Sequence, residues 1–193
     1  MYKKGQKNIL TNYRPISILP VIDKVFEELV LTRLISFLNL NNILCNKQYG
    51  FRKGKCINDL FGDFCDKVNR ALNNNCNVLI TFIDFSKAFD TLNHKKLITK
   101  IYNIGIRGVL LKWLHNYLTN RFFSVKIGDK ISAEKPVSFG VPQGSKLGPL
   151  LFIIYINDLL RMLKANDDIS IIVDHLHLNE AVKQMQKYVD ICI

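Results

Sequence analysis

Asp84 is the residue of this chain whose position most suggests chemistry. It follows an apolar run, Val78-Leu-Ile-Thr-Phe-Ile83, that predicts a fully buried strand, and it stands at the end of that strand. A carboxylate there is costly unless it meets a metal ion, a base or hydrogen-bond donors. Active sites also collect at strand ends in mixed sheets. Asp84 is therefore either a site residue or a cap for the helical turn that Ser86 and Lys87 begin, and spacing alone leaves both interpretations open.

Composition restricts the class of protein. Apolar residues make up 48% of the 193 residues, which predicts a globular chain with a core and argues against disorder. Lys and Arg number 27 against 16 acidic residues, a net charge of +11. This excess predicts a polyanionic partner, nucleic acid above all. The alternative is a generically basic protein, since Lys, Asn and Ile are all abundant.

Neither a membrane span nor a secretory signal is visible in the sequence. The longest apolar runs, such as Leu150–Ile156, are too short to cross a bilayer, and the start of the chain lacks an apolar signal segment. The five cysteines match neither a zinc spacing nor a disulfide framework. We therefore expect a protein of the nucleus or cytoplasm that is not secreted and has no membrane partner.

Apolar periodicity predicts the elements that precede Asp84. Met1–Ser17 is basic and extended, and a helix then has Pro20 as its first residue. This helix is expected to pack inward through Ile22, Val25, Phe26, Leu29, Val30, Ile35 and Leu38. A glycine-punctuated basic loop, Gln48–Lys55, leads to a second amphipathic helix. The apolar positions of that second helix are Leu60, Phe61, Phe64, Val68 and Leu72.

Helices and strands also alternate after Asp84, which makes the expected fold class α+β in one domain. The predicted elements are a helix over His94–Ile104 ended by Gly105, a helix over Val109–Leu118, a hairpin of Phe122–Ile127 with Ile131–Ser138 around Gly128-Asp129, a tight turn at Gly140–Ser145, a long buried helix over Lys146–Lys164, a short strand over Ile169–Val173 and a last helix over Leu178–Val189.

Four segments in order carry a resemblance to a known family: Tyr13-Arg-Pro-Ile-Ser-Ile-Leu-Pro20, Gln48-Tyr-Gly-Phe-Arg52, Phe82-Ile-Asp-Phe-Ser-Lys-Ala-Phe-Asp90 and Gly140-Val-Pro-Gln-Gly-Ser145. Together they resemble the reverse transcriptase domain of non-LTR (LINE-type, jockey-like) retrotransposons, over essentially the whole chain. The resemblance implies a right-hand polymerase fragment with an antiparallel palm sheet packed on helices and no thumb. Residues 1–75 would be fingers-like, and residues 76–193 would form the palm with a fingers insertion.

The activity that the resemblance implies is RNA-directed DNA polymerisation, in which dNTPs are added to primer DNA on an RNA template. Such a reaction uses two Mg²⁺ ions that bridge the attacking and leaving oxygens. Mg²⁺ binds carboxylate oxygens, so the resemblance makes Asp84 the first catalytic aspartate and metal ligand. Phe85 would supply a backbone carbonyl near the second ion.

The resemblance also implies residues that bind the nucleotide. Phe89 corresponds to the aromatic gate under the sugar, and its alternative role is ordinary core packing. Asp90 would orient the turn rather than bind metal. Gln143 and Gly144 would contact the incoming nucleotide, and Ser145 would begin a helix whose N-terminus favours phosphate.

Basic residues complete the implied site. Arg52, Lys53 and Lys55 correspond to residues that hold the triphosphate, with a solvated charged loop as the alternative. Arg14, Arg121 and Pro142 are expected to contact nucleic acid, Arg121 on the template strand, and a structural role is the alternative for Arg14. The residue assignments in this group are again what the resemblance implies.

The second metal-binding motif of the family, Tyr/Phe-Ala-Asp-Asp on a β-hairpin, does not occur as such. Its nearest counterpart is Ala165-Asn-Asp-Asp168, which makes Asp167 and Asp168 catalytic candidates and Asp168 a metal ligand. One interpretation is a degraded motif in a shortened connection. The other is a short deletion, so that residues 166–172 are the loop and strand that normally precede the motif. We favour the deletion, because the long helix leaves no room for the first hairpin strand.

Three functional outcomes follow from this departure. The first is a catalytically impaired relic with little or no polymerase activity, which we expect. The second is a non-catalytic remnant that binds nucleic acid, which the charge and the basic loop motivate. The third is a chain whose core is too incomplete to fold stably.

Overall fold

The structure, a computed structural model, describes residues 1–2, 4–9, 12–82, 85, 87–163 and 170–175. The chain divides into two compact units. The first unit comprises Met1–Asn41 and Lys87–Tyr155, and the second comprises Asn42–Ser86 and Ile156–Ile193. Helices and small antiparallel sheets are mixed in the described residues, in agreement with the predicted α+β class.

Five helices and six strands make up the described part of the chain, and most lie within two residues of their predicted bounds. The helices are α1 (Val21–Leu40), α2 (Ile57–Asn73), α3 (His94–Asn103), α4 (Gly108–Thr119) and α5 (Leu147–Leu163). The strands are β1 (Asn77–Phe82), β2 (Phe122–Phe123), β3 (Lys126–Ile127), β4 (Lys130–Ile131), β5 (Lys135–Pro136) and β6 (Ser170–His175). The helix predicted over Leu178–Val189 lies outside the described residues. None of the helices in the described ranges is long and apolar enough to cross a membrane.

The predicted inward face of α1 is wrong for most of its length, since Leu38 is the one of its seven predicted residues that is fully buried. Ile22, Val25 and Leu29 are all more than half exposed, whereas Leu34 and Leu38 are fully buried. Apolar residues lie on all sides of this helix, so periodicity does not select one face. Pro20 precedes the helix in an extended conformation, with ψ 148°, and the first helical residue is Val21.

The chain start is also not simply extended. Tyr2 and Tyr13 form an isolated antiparallel bridge, and the backbone N–H of Arg14 donates to the carbonyl of Met1 at 2.6 Å. The two tyrosine rings lie 5.6 Å apart. These contacts fold the basic segment back on itself.

A buried carboxylate, Glu27, joins three helices of the first unit. Its side chain is 1% exposed. One oxygen accepts from the hydroxyl of Tyr117 on α4 at 2.7 Å, and the other accepts from the backbone N–H of Lys146, just before α5, at 2.7 Å. Burial raises the pKa of Tyr117 above its ordinary value of 10.0, and the hydrogen bond to Glu27 adds to the rise. The phenol therefore stays protonated and donates.

Apolar side chains of α3, α4 and α5 build the core around this contact. The fully buried residues of these helices include Leu97, Ile101, Leu114, Leu118, Leu147 and Leu151. Asn93 caps α3 by accepting from the backbone N–H of Lys96 at 3.0 Å. The long helix predicted after the Gly140 turn is thus present and buried as expected.

Strands β2 to β5 form the predicted hairpin, which is interrupted in the middle. The outer ladder pairs Phe122 with Pro136, and the inner ladder pairs Ile127 with Lys130. Between the two ladders, residues 124–125 of the first strand arm lie opposite residues 132–134 of the second. This extra residue on one side is a β-bulge. The turn falls on Gly128-Asp129, as predicted.

In the second unit, β1 pairs with β6 in an antiparallel, two-stranded sheet. Phe82, at the end of β1, is opposite Ser170, at the start of β6. Val78, Leu79 and Ile80 are half-buried. The strand is therefore present as predicted, but the prediction that it is fully buried is wrong. A sheet of two strands leaves more of each strand exposed than a larger sheet does.

We predict that Glu27→Ala destabilises the chain by on the order of 3 kcal/mol, because it leaves the Tyr117 hydroxyl and the Lys146 N–H without their acceptor in the core. The free energy of unfolding in urea checks this at neutral pH. Glu28→Ala is the matched control, since Glu28 is an exposed neighbour that pairs with the Lys146 ammonium at 2.5 Å. Its loss is expected to cost less than about 1 kcal/mol. Equal losses for the two variants would contradict the role of Glu27.

Candidate active site

The three expected catalytic acids, Asp84, Asp167 and Asp168, lie outside the described residues. In the described ranges no three His, Cys, Asp or Glu side chains converge in a way that could hold a metal ion. Phe85 is described, and its side chain is 36% exposed. The metal-binding roles predicted for these residues stay predictions.

The sheet of the second unit nevertheless shows from which of its ends the chain continues to these acids. Phe82 at the end of β1 is paired with Ser170 at the start of β6. In the sequence, Asp84 follows Phe82 by two residues, and Asp168 precedes Ser170 by two. Both acidic segments are thus connected to the same end of one two-stranded sheet.

Phe89, the predicted sugar gate, is half-buried in the first unit and packs against Phe152 of α5. The two ring centroids lie 5.1 Å apart at an interplanar angle of 38°. Phe89 lies within a turn in which Lys87 has a positive φ of 55° and the N–H of Asp90 donates to the Lys87 carbonyl at 2.8 Å. Phe89 thus packs in the core, which is the alternative role that the sequence left open. Because the ring is only half-buried, part of it could still contact a ligand.

The Gly140–Ser145 turn is bound tightly to the segment that follows Phe89. The N–H of Val141 donates to the carbonyl of Phe89, and the N–H of Gly140 donates to the carbonyl of Leu92, both at 2.8 Å. The imidazole Nε2 of buried His94 lies 2.7 Å from the Gly140 carbonyl, so this nitrogen carries the proton and donates. Two segments separated by about fifty residues in sequence are thus joined edge to edge.

Gly140 is required at this junction. Its φ is +81°, and a Cβ at this position would lie 2.7 Å from the Phe89 carbonyl oxygen and 2.8 Å from the Cα of Asp90. Both neighbours are backbone atoms, which cannot move aside as a flexible side chain can. The absence of a side chain at Gly140 is therefore what allows the close approach.

Gln143, predicted to contact the nucleotide, is oriented by Asp90. Its amide Nε2 donates to the Asp90 carboxylate at 2.8 Å. The backbone carbonyl of Gln143 accepts from the N–H of Ser17 at 2.9 Å. Ser17, Asp90 and Gln143 belong to three of the four segments that carry the family resemblance, so these three meet within the first unit. Pro142 is half-buried and Gly144 exposed beside them.

The N-terminus of α5 is already capped by protein groups, contrary to the predicted phosphate site. The hydroxyl of buried Ser145 accepts from the N–H of Gly148 at 2.8 Å, and the Glu27 carboxylate accepts from the N–H of Lys146. A carboxylate at a helix N-terminus also satisfies the helix dipole. These donors are therefore not available to a phosphate in this conformation.

The basic loop of the second unit is partly held by its own carbonyls. Arg52 donates from its guanidinium to the Cys45 carbonyl at 2.9 Å, and Lys55 donates to the Asn46 carbonyl. The Lys55 ammonium also lies 4.4 Å from the ring centroid of Tyr49. Lys53 is exposed. Arg52 and Lys55 would have to exchange these contacts for phosphate oxygens to bind a triphosphate.

Asp63 of α2 anchors this loop. Its carboxylate accepts from the Lys47 ammonium at 2.9 Å and from the hydroxyl of Tyr49. The hydrogen bonds from Lys47 and Tyr49 lower the pKa of Asp63 from its ordinary value of 3.8 to about 2.

The two predicted nucleic-acid contacts of the first unit differ in their surroundings. Arg14 is exposed, and its backbone joins the folded-back chain start. Arg121 is half-buried, and its guanidinium lies 5.0 Å from the ring centroid of Tyr117. The sequence predicted no role for His94 or Glu27. Their partners, Gly140 and Tyr117, are distant in sequence, and no short motif around either residue indicates such a contact.

The known proteins that this chain resembles in sequence are RNA-directed DNA polymerases of mobile elements. A family model described as reverse transcriptase (RNA-dependent DNA polymerase) matches residues 2–190. The chain is 39% identical over 150 residues to a probable RNA-directed DNA polymerase from transposon X-element of Drosophila melanogaster, covering 77% of this chain and 16% of that protein.

Two further relatives come from the same fly. The probable RNA-directed DNA polymerase from transposon BS is 32% identical over 195 residues, covering 92% of this chain and 21% of its own length. The RNA-directed DNA polymerase from mobile element jockey is 30% identical over 148 residues, covering 77% of this chain and 16% of its own length. The chain thus spans between about a sixth and a fifth of the length of these relatives.

We predict that Gly140→Ala destabilises the first unit by roughly 3 kcal/mol, from the left-handed backbone and the backbone clash together. The control is Gly128→Ala in the hairpin turn, where φ is +58° but nothing lies within 4 Å of the added Cβ. That variant should lose about 1 kcal/mol, from the backbone alone. Urea unfolding of both variants measures the difference, and its absence would show that the two segments are not in contact.

We predict that the stability of the second unit falls as the pH is lowered from about 4 to about 2. The folded-state pKa of Asp63 is below its ordinary value, so its contribution is present above pH 4 and is lost on protonation. The loss should stay below about 1 kcal/mol, because the side chain is 43% exposed. Unfolding in urea across this pH range checks it. Asp63→Asn should give a flatter profile, whereas Asp66→Asn on the same helix should follow the parent chain.

Proposed function

The chain belongs to the reverse transcriptase (RNA-dependent DNA polymerase) family, and we propose that it carries the fingers and palm of such a polymerase in a catalytically impaired form. Its parent activity is the addition of dNTPs to a DNA primer on an RNA template. Residues 1–75 are the fingers-like part and residues 76–193 the palm with a fingers insertion. The nucleus or the cytoplasm is where such a chain would act.

The antiparallel pairing of β1 with β6 is the observation that carries this proposal. It connects the segments of Asp84 and of Asp167-Asp168 to one end of a sheet. A two-metal polymerase site needs carboxylates from separate segments at one place. In the deletion interpretation, the lost motif would have followed β6, and it would have been connected to the opposite end, beside Asn77. The pairing therefore favours Asp167-Asp168 as the degraded metal motif, which reverses the preference from the sequence.

The donor set fits Mg²⁺ by its chemistry, since Asp84, Asp167 and Asp168 would offer carboxylate oxygens and Phe85 a backbone carbonyl. Two bound Mg²⁺ ions supply charge neutralisation at the attacking and leaving oxygens. In the proposal Asp84 and Asp168 are metal ligands, and Asp167 supports them.

The other residues bind and orient the reactants. Phe89 lies under the sugar as the aromatic gate, and Gln143 and Gly144 contact the incoming nucleotide. Asp90 fixes the Gln143 amide by accepting from its nitrogen, and the amide oxygen is the group that would accept from the nucleotide. Arg52, Lys53 and Lys55 bind the triphosphate, and Arg14, Arg121 and Pro142 bind template or primer.

The connection between α5 and β6 is the reason for the proposed impairment. Only residues 164–169 separate Leu163 from Ser170. A β-hairpin needs a strand of several residues before its turn, and this connection is too short to contain one in addition to the acids. The carboxylates therefore lack the hairpin that would hold them against Asp84.

Primer extension on an RNA template with Mg²⁺ and dNTPs tests this function. The purified chain should give no more product than its Asp84→Asn variant. A chimera in which the corresponding segment of the BS relative replaces residues 164–169 should extend the primer, and Asp84→Asn in the chimera should abolish extension. Product from the unmodified chain that Asp84→Asn removes would overturn the impairment. An inactive but folded chimera would show that the connection is not the defect.

A further inference from the structure

A pocket of about 270 Å³ lies in the first unit, against α1 and α4. Its lining combines aromatic rings with carboxyl groups, and the lining residues are Asp23, Phe26, Glu27, Trp113, Tyr117 and Arg121. Two carboxylates against one guanidinium give this lining a formal charge of −1, whereas the whole chain carries +11. A locally acidic, aromatic pocket in a basic protein fits a cationic ligand.

The volume of the pocket restricts the ligand to a small group. Pockets that enclose a drug-sized molecule measure roughly 300–1,000 Å³. The space here lies at the lower limit of that range. It therefore fits the end of one side chain better than a nucleoside triphosphate.

Trp113 and Phe26 are the rings that a ligand cation would contact. Trp113 and Tyr117 are four residues apart on α4, and their rings stack at 5.3 Å with an interplanar angle of 13°. Tyr117 already has a cation beside it, since the Arg121 guanidinium lies 5.0 Å from its ring centroid. Trp113 is half-buried, and Phe26 is 52% exposed. Tryptophan binds cations more strongly than the other aromatic side chains, so Trp113 is the principal contact.

The two carboxylates decide which kind of cation fits. Both oxygens of Glu27 already accept hydrogen bonds, from the hydroxyl of Tyr117 and from the N–H of Lys146. Asp23 is exposed, and in the part of the chain that the structure describes no hydrogen bond or ion pair engages its carboxylate. The pocket thus offers negative charge but few free acceptors. An ammonium group is strongly hydrated and has three donors to satisfy, whereas a trimethylammonium group has none.

We propose that this pocket binds the trimethylated lysine side chain of a partner protein. The quaternary ammonium group lies against the rings of Trp113 and Phe26, and the Asp23 carboxylate supplies the opposite charge. The methylene chain of the lysine fills the apolar part of the pocket. Binding uses neither Asp84 nor a metal ion, so it does not rest on the proposed polymerase activity.

The residue types around the pocket favour a protein over a choline lipid headgroup, which carries the same trimethylammonium group. Tryptophan, tyrosine and arginine dominate the binding energy of protein interfaces, and lysine is depleted there. In the described chain the first three types line the pocket and lysine does not. Ile22 and Leu29 share the face of α1 that carries Phe26, and they are 63% and 59% exposed. These apolar side chains can pack against the residues that flank the lysine of the partner.

Trp113 makes binding directly observable, because it is the single tryptophan of the chain. A short peptide of glycine and alanine with one central trimethyllysine is titrated into the intact chain while tryptophan fluorescence is recorded. A saturable change in emission is expected. The same peptide with unmodified lysine should bind roughly tenfold more weakly, because its ammonium must give up its water. A neutral analogue, with carbon in place of the quaternary nitrogen, should also bind roughly tenfold more weakly, because it lacks the charge.

Two acid variants separate the pocket from the overall charge of the chain. Asp23→Asn should weaken binding of the trimethylated peptide by roughly fivefold and leave binding of the neutral analogue unchanged. Asp129→Asn removes the same charge from the exposed hairpin turn, outside the pocket, and should change neither. Trp113→Ala should abolish binding, and Trp113→Phe, which keeps a ring, should weaken it less. Calorimetry measures both tryptophan variants, since they lack the fluorescent side chain.

Three results would overturn the proposal: equal affinity for the trimethylated peptide and its neutral analogue, equal effects of the two acid variants, or no saturable change in tryptophan emission. Vesicles of phosphatidylcholine are the final arm of the titration. If the chain binds these vesicles in preference to the trimethylated peptide, the ligand is a lipid headgroup and the assignment to a protein partner is wrong.

Discussion

The buried carboxylate of Glu27 joins three helices of the first unit through two hydrogen bonds that point in different directions. Its oxygens accept from Tyr117 on α4 and from the N–H of Lys146 at the start of α5. A buried carboxyl group is tolerated when both of its oxygens accept hydrogen bonds, and a helix N-terminus adds a favourable dipole. The same contact fixes the Tyr117 hydroxyl and occupies the N-terminus of α5, which the sequence alone would offer to phosphate.

A second constraint is the absence of a side chain at Gly140. It allows the Gly140–Ser145 turn to lie against the carbonyls of Phe89 and Leu92, and it brings Gln143 within hydrogen-bond distance of Asp90. Ser17, Asp90 and Gln143, which belong to three of the family's sequence segments, thereby meet in the first unit. His94 supports this junction from the core side through its bond to the Gly140 carbonyl. Backbone hydrogen bonds hold this junction together as much as side-chain contacts do.

The second unit depends on a different feature, the register of β1 with β6. With Phe82 opposite Ser170, the acidic segments before and after these strands belong to the same end of the sheet. The proposed weakness of the catalytic site follows from the short connection after α5.

Local spacing in the sequence determined most helices and strands of the described chain, because period and turn residues report on backbone conformation within one element. The four motifs revealed the family in the same way, because each is a short contiguous segment that can be recognised without knowing its partners in the fold. The sequence did not predict that Ile22 and Leu29 are exposed, because α1 is apolar on all sides. Nor did it reveal the pairing of Glu27 with Tyr117, of Asp90 with Gln143, or of β1 with β6. These partners lie about fifty or more residues apart, so only the tertiary structure, in which packing selects among many possible contacts, decided them.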